Sequence, residues 1–160
     1  MVDWMEILQM KKELTPGELL ELFERYANED PGTLLAFVLE PLEPYMAKAI
    51  LATDADAMTK AETIHLYGHL IGSYRALYLI YRSALQYPQE SPFKEDLKNI
   101  VLTAQKVAKK VVELYSDIKK GKPLELAIHW LVFSILELES SIESYLAHLK
   151  LYIYDKLKPS

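Results

Sequence analysis

The residues best placed to do chemistry are Glu62-Thr63-Ile64-His65 and, one turn on, His69. Glu-x-x-His puts a carboxylate and an imidazole on one helical face, and His69 extends that face. Helical bundles that hold two iron ions use this spacing, because both ligand types must converge on a metal from a single helix. A complete site of that kind takes a second Glu-x-x-His and two further glutamates, which this chain lacks. Its nearest approach is Glu125-Leu126-Ala127-Ile128-His129, one residue too long. One reading of the face is a divalent metal held by Glu62, His65 and His69, with His129 contributed from the last helix. The other is structural: Thr59-Lys60-Ala61-Glu62 reads as a capping box that occupies Glu62, with His65 on the surface and His69 hydrogen-bonded in the core.

Other catalytic arrangements are missing. There is no cysteine, so thiolate nucleophiles, thiolate metal ligands and disulfides are excluded. No glycine-rich phosphate loop, Gly-x-Ser-x-Gly elbow or His-Glu-x-x-His occurs. Glu137 and Glu139 are two residues apart and point to different sides of a helix, so they make no acid–base pair. No catalytic residue is assigned, and a non-enzymatic role is favoured.

Three patterns point to contact with other molecules. Gly68, Gly72 and Ala76 recur every four residues, a ridge over which another backbone can approach closely. Tyr67, Tyr74, Tyr78 and Tyr81 run beside Arg75 and Arg82. They read as core rings whose hydroxyl tips reach solvent or find partners, with a ligand pocket or a base-stacking surface as the alternatives. Eight lysines lie between residues 92 and 122, Lys98, Lys106, Lys109 and Lys110 among them. Lysine without arginine or interleaved aromatics is a weak nucleic-acid signal; a solvated face is the leading reading, with contact to the acidic N-terminal region, within a chain or between chains, as the alternative.

The elements that carry these residues are helices. Leu124, Ile128, Leu131, Ile135, Leu138, Ile142, Tyr145, Leu149 and Tyr152 alternate steps of four and three, one apolar seam down a long helix. A second long helix opens at Asp54 or Thr59 and ends near Tyr87-Pro88. A third opens at Ser91-Pro92 and ends at Gly121, and Pro123 starts the last. Short connections predict that successive helices run antiparallel, each roughly 40 Å long. Ahead of them, residues 1–55 predict a subdomain of shorter helices. One spans about Asp3 to Glu13, and one opens with the capping box Thr15-Pro16-Gly17-Glu18. Two further short helices, Leu34–Leu39 and Pro44–Leu51, or one kinked helix, follow around Pro41 and Pro44. The expected fold is all-α over residues 1–160 as a single domain: three long antiparallel helices in 56–160 plus the N-terminal helical subdomain.

The last helix is apolar nearly all round at its start, with Leu126, Trp130, Phe133 and Leu136 off the seam. A helix of that kind is either central or docked on something else. Either the N-terminal helices or a second protomer would cover it.

Composition bounds the rest. The chain has 160 residues, 51% hydrophobic and 26% charged, enough for a real core. Its net charge of −5 argues against nucleic-acid binding by the whole surface. The charge is uneven: net −8 over residues 1–56 and net +4 over 92–122. Few glycines and only two asparagines hint at a thermophilic source. The start Met1-Val2-Asp3-Trp4 lacks the basic head and apolar run of a signal peptide, and no stretch is long enough to span a bilayer, which fits a cytoplasmic chain. The sequence therefore predicts a cytoplasmic protein that works by protein–protein contact, as a homo-oligomer or as a small subunit of a larger complex, without a cofactor. Gly68, Gly72, Ala76, Leu126, Trp130 and Phe133 are its expected interface. The alternatives are the metal- or ligand-binding bundle and an accessory nucleic-acid role through the lysine-rich helix.

Overall fold

The computed structural model describes residues 15–87 and 89–158. Its ordered elements are all helical: α1 (Pro16–Tyr26), α2 (Pro31–Leu34), a π-helical turn (Leu35–Leu39), α3 (Glu40–Leu51), α4 (Ala57–Ala84), α5 (Phe93–Lys119) and α6 (Leu124–Leu157). The helix expected over Asp3 to Glu13 lies outside the described residues.

Local chemistry sets the boundaries. The Thr15 hydroxyl accepts from the Glu18 amide at 3.1 Å, with Pro16 at the first helical position of α1. Asp30 does the same for α2, accepting from Thr33 at 2.9 Å. The cap of α4 is Asp56, which takes both the amide and the hydroxyl of Thr59 (2.8 and 3.0 Å). That corrects the expected start at Asp54 or Thr59, and Thr59 is the third helical residue rather than a cap. Glu62 is left exposed in the second turn. At the other end, Gly121 takes φ +86° between α5 and α6, a backbone that glycine adopts without a Cβ clash.

Of the two expectations for the proline-rich stretch, two short helices are not found and a single helix is. Pro41 and Pro44 do not split it, and helix runs without interruption from Pro31 to Leu51. The turn just before the prolines is widened instead. The Glu40 amide donates five residues back, to Leu35. A wide turn shifts the preceding carbonyls and so relieves the clash that a proline ring makes with them. Tyr67 then gives the Leu39 carbonyl a partner from outside, its hydroxyl donating at 3.0 Å.

The three long helices form the bundle. α5 lies antiparallel to α6: Asp96, Thr103 and Lys106 meet His148, Ser141 and Glu137 in reverse order. α4 and α6, the first and third, run parallel, with His69 beside Glu139 and Ser83 beside Tyr145. The predicted seam of α6 faces inward; Leu124, Leu131, Ile135, Leu138 and Tyr145 are buried. Of the tyrosine stretch of α4, Tyr67 and Tyr74 are core with bonded hydroxyls, and Tyr78 and Tyr81 are half-buried. Tyr74 is fully buried and donates to the Ala104 carbonyl at 3.0 Å, locking α4 to the middle of α5.

The N-terminal helices pack mainly over the groove between α4 and α5, the side away from α6. Besides Tyr67, Arg75 ties them down through Glu40 at 2.9 Å. Tyr26 and Phe37 stack within them. At Gly32 the backbone passes so close to Tyr78 that a Cβ would overlap the ring. Leu19, Leu34, Val38, Leu42 and Ile50 thereby join one core with the bundle. These helices do not enclose the outer side of α6.

Candidate functional site

Sixteen large apolar side chains are exposed among the described residues, and ten of them belong to α6. They are between 40% and 77% exposed, and they include Leu126, Trp130, Phe133 and Leu136. The concentration follows from the fold. The inner seam of α6 is used by α4 and α5, and the N-terminal helices sit on the opposite side of the bundle. Nothing in the described chain is left to pack on the outer side.

That outer side has an order of its own. Leu126, His129, Phe133, Leu136, Ser140, Glu143, Ala147, Leu151 and Tyr154 recur at steps of three or four, with two successive steps of four around Ala147, and every one is exposed. This is a second seam, opposite the first, with the same periodicity that makes the first a packing surface. It is apolar at both ends and polar in the middle.

The edges of the seam are charged. On the α5 side, Lys106 pairs with Glu137 at 3.1 Å, and Lys110 sits over the Trp130 ring at 3.9 Å while also reaching Glu113 at 3.8 Å. These residues, with Lys109 and Phe133, line a groove of about 230 Å³ between the two helices. Lys98 and Lys109 are exposed on the outer surface of α5. The lysine row is thus drawn partly onto the protein's own acids and indole. On the α4 side, His69 Nε2 lies 3.6 Å from Glu139 Oε1.

The proposed metal ligands do not gather. Glu62, His65, His69 and His129 are all exposed. His129 packs edge-on against Trp130 and Phe133, with ring centroids 5.4 and 4.7 Å apart. Among the described residues, no group of three or more histidines and carboxylates could hold a metal ion. The small-residue ridge also differs from its intramolecular reading. Gly68 and Gly72 are exposed, and an added Cβ at either would meet nothing within 4 Å. Ala76 is half-buried. Among the described residues, no helix crossing requires those glycines.

One polar constellation was not anticipated from the sequence. Asp96, 3% exposed, accepts from Ser144 Oγ at 3.3 Å and lies 2.8 Å from His148 Nδ1. The signal was present: Asp96 stands four residues before Ile100, on the inward seam of α5, where a charge is out of place. Serine, histidine and aspartate suggest a hydrolytic triad, but the order is wrong. Serine and histidine both address the carboxylate, whereas a nucleophile needs its hydroxyl on the imidazole. Around them Tyr87, Phe93, Tyr145 and Tyr152 pack ring against ring. The arrangement pins the start of α5 to α6.

The chain matches no protein-family model, no curated protein and no solved structure. Among the described residues, no helix is long and apolar enough to cross a membrane.

Proposed function

We propose that this protein works by protein–protein contact, as a homo-oligomer assembled through the outer seam of α6. The observation that carries the reading is the gathering of ten exposed large apolar side chains on one helix. Five of them, Leu126, Phe133, Leu136, Leu151 and Tyr154, lie on the outer seam itself. Each roughly half exposed, they offer on the order of 500 Å², as much as the largest apolar patch of an ordinary monomer, and Ser140, Glu143 and Ala147 between them extend the surface toward the roughly 800 Å² per partner of a stable interface. The glycine face of α4 supports the reading. Gly68 and Gly72 each weaken a long helix relative to alanine, and nothing among the described residues needs them small.

Light scattering over a dilution series tests this. The expected result is a dimer or larger assembly, which Phe133→Glu with Leu136→Glu converts to monomer. Both side chains are exposed, so helicity and thermal unfolding of the variant should report an intact fold. A wild-type monomer at every concentration overturns the proposal.

A further inference from the structure

Resting on that reading, we infer that the occupant of the outer seam is α6 of a second copy, running antiparallel and centred on Ser140. The seam is nearly symmetric about this residue. Leu126 and Tyr154 lie fourteen residues to either side, Phe133 and Ala147 seven. An antiparallel partner brings Leu126 opposite Tyr154, His129 opposite Leu151, and Phe133 opposite Ala147. Each large side chain of the third pair meets a small one, the size alternation that lets facing helices interdigitate. The contact runs from Leu126 to Tyr154, about 42 Å at 1.5 Å per residue.

The parallel alternative fails on the same residues. It stacks Phe133 on Phe133, leaves Ala147 facing Ala147, and sets Glu143 against its own copy. Like charges at such a seam are unfavourable, and Glu143 has no positively charged partner in its own chain among the described residues. Antiparallel pairing separates the two Glu143 residues by roughly 9 Å along the axis and brings each level with the partner's Glu137, whose charge is already taken by Lys106 at 3.1 Å. It also sets the two helix dipoles antiparallel, side by side, which favours association modestly. The overhang of α6 fits this arrangement. Tyr152 still reaches Glu90 at 3.3 Å, but residues 153–158 extend past the start of α5 and are all exposed. In the antiparallel pair that end, with Tyr154, lies beside the partner's Leu126 instead of in water.

The absence of native cysteine allows a direct test. Ser140→Cys, Ala147→Cys and Phe133→Cys are made singly in the full chain and treated with a short bis-maleimide. Antiparallel pairing predicts that S140C cross-links to itself and that A147C does not. F133C mixed with A147C should give a cross-linked heterodimer. Self-cross-linking of A147C at an efficiency equal to that of S140C overturns the antiparallel register. So does a dimer by light scattering in which S140C fails to cross-link, although self-assembly itself would then stand. A protein that scatters as a monomer removes both.

Discussion

His148 Nδ1 lies 2.8 Å from a carboxylate oxygen of Asp96, and Asp96 is almost wholly buried between α5 and α6. The pair lets an acid sit on an otherwise apolar seam. Ser144 takes the other carboxylate oxygen, so both are partnered. His148→Ala removes the main partner and leaves a buried charge. The expected loss is about 2–3 kcal/mol, below the roughly 3–5 of a fully buried pair because the imidazole is more than one-third exposed. For a domain of this length that lowers the melting temperature by about 5–10 °C. Asp96→Asn with His148→Ala should cost less than the sum of the single changes, since the second removes a charge already stranded. Calorimetry on the four proteins of the cycle measures this; strict additivity would mean the pair is not coupled.

Alkaline pH should weaken the fold. Burial pushes the Tyr67 and Tyr74 phenols well above their ordinary range, and burial with the Asp30 charge raises Tyr81. Raised folded values mean that the stability is complete below the unfolded pKa of about 10. It is lost as pH climbs beyond that, because the unfolded chain releases these protons first. Urea midpoints should fall above pH 10, and Tyr74→Phe should flatten that fall. Tyr67→Phe should do so too, at a cost near neutrality of about 1 kcal/mol for the lost bond to Leu39.

At the acid end the sign reverses. The Thr59 amide and then its hydroxyl hold the Asp56 carboxyl below the usual carboxylate range. Its contribution is present above the unfolded value of about 3.9 and disappears as pH falls through the lower folded one. Asp56→Ala should therefore lower the urea midpoint at neutral pH, and its difference from wild type should shrink below pH 3.

Alanine at three glycines should give opposite signs. Gly68→Ala and Gly72→Ala enter open space on a regular helix and should stabilise the protomer by about 0.5–1 kcal/mol each. Gly32→Ala drives a methyl into the Tyr78 ring and should destabilise by about 1–3 kcal/mol. Urea unfolding of the assembly-deficient F133E/L136E background reads all three signs without interference from association. A destabilised Gly72→Ala there would mean that the outer face of α4 is covered within the chain.

Much of the fold was written in local chemistry. Helix identity follows from apolar periodicity, and helix ends from single residues: Thr15 and Pro16 at one start, Gly121 and Pro123 at a junction. Such signals act within one turn, so they are legible one segment at a time. The exposed residues Leu126, Trp130, Phe133 and Leu136 could likewise be singled out as off the seam.

Tertiary structure decided what the sequence left open. Whether the N-terminal helices cover α6 depends on which groove they enter, and Tyr67, Arg75 and the space beside Gly32 hold them over α4 and α5. Pro41 and Pro44 left open two short helices or one kinked helix; a widened turn carries one helix through, and the Tyr67 hydroxyl from another helix bonds a carbonyl there. The Glu62, His65, His69 and His129 set looked convergent along the chain but stays dispersed, since spacing on one helix cannot say where a second helix points its histidine. Asp96 and His148 are 52 residues apart and meet only when α5 turns back along α6. Periodicity tells a helix which of its faces can pack. Only the assembled bundle determines which of those faces is still without a neighbour, and on α6 that is the seam running from Leu126 to Tyr154.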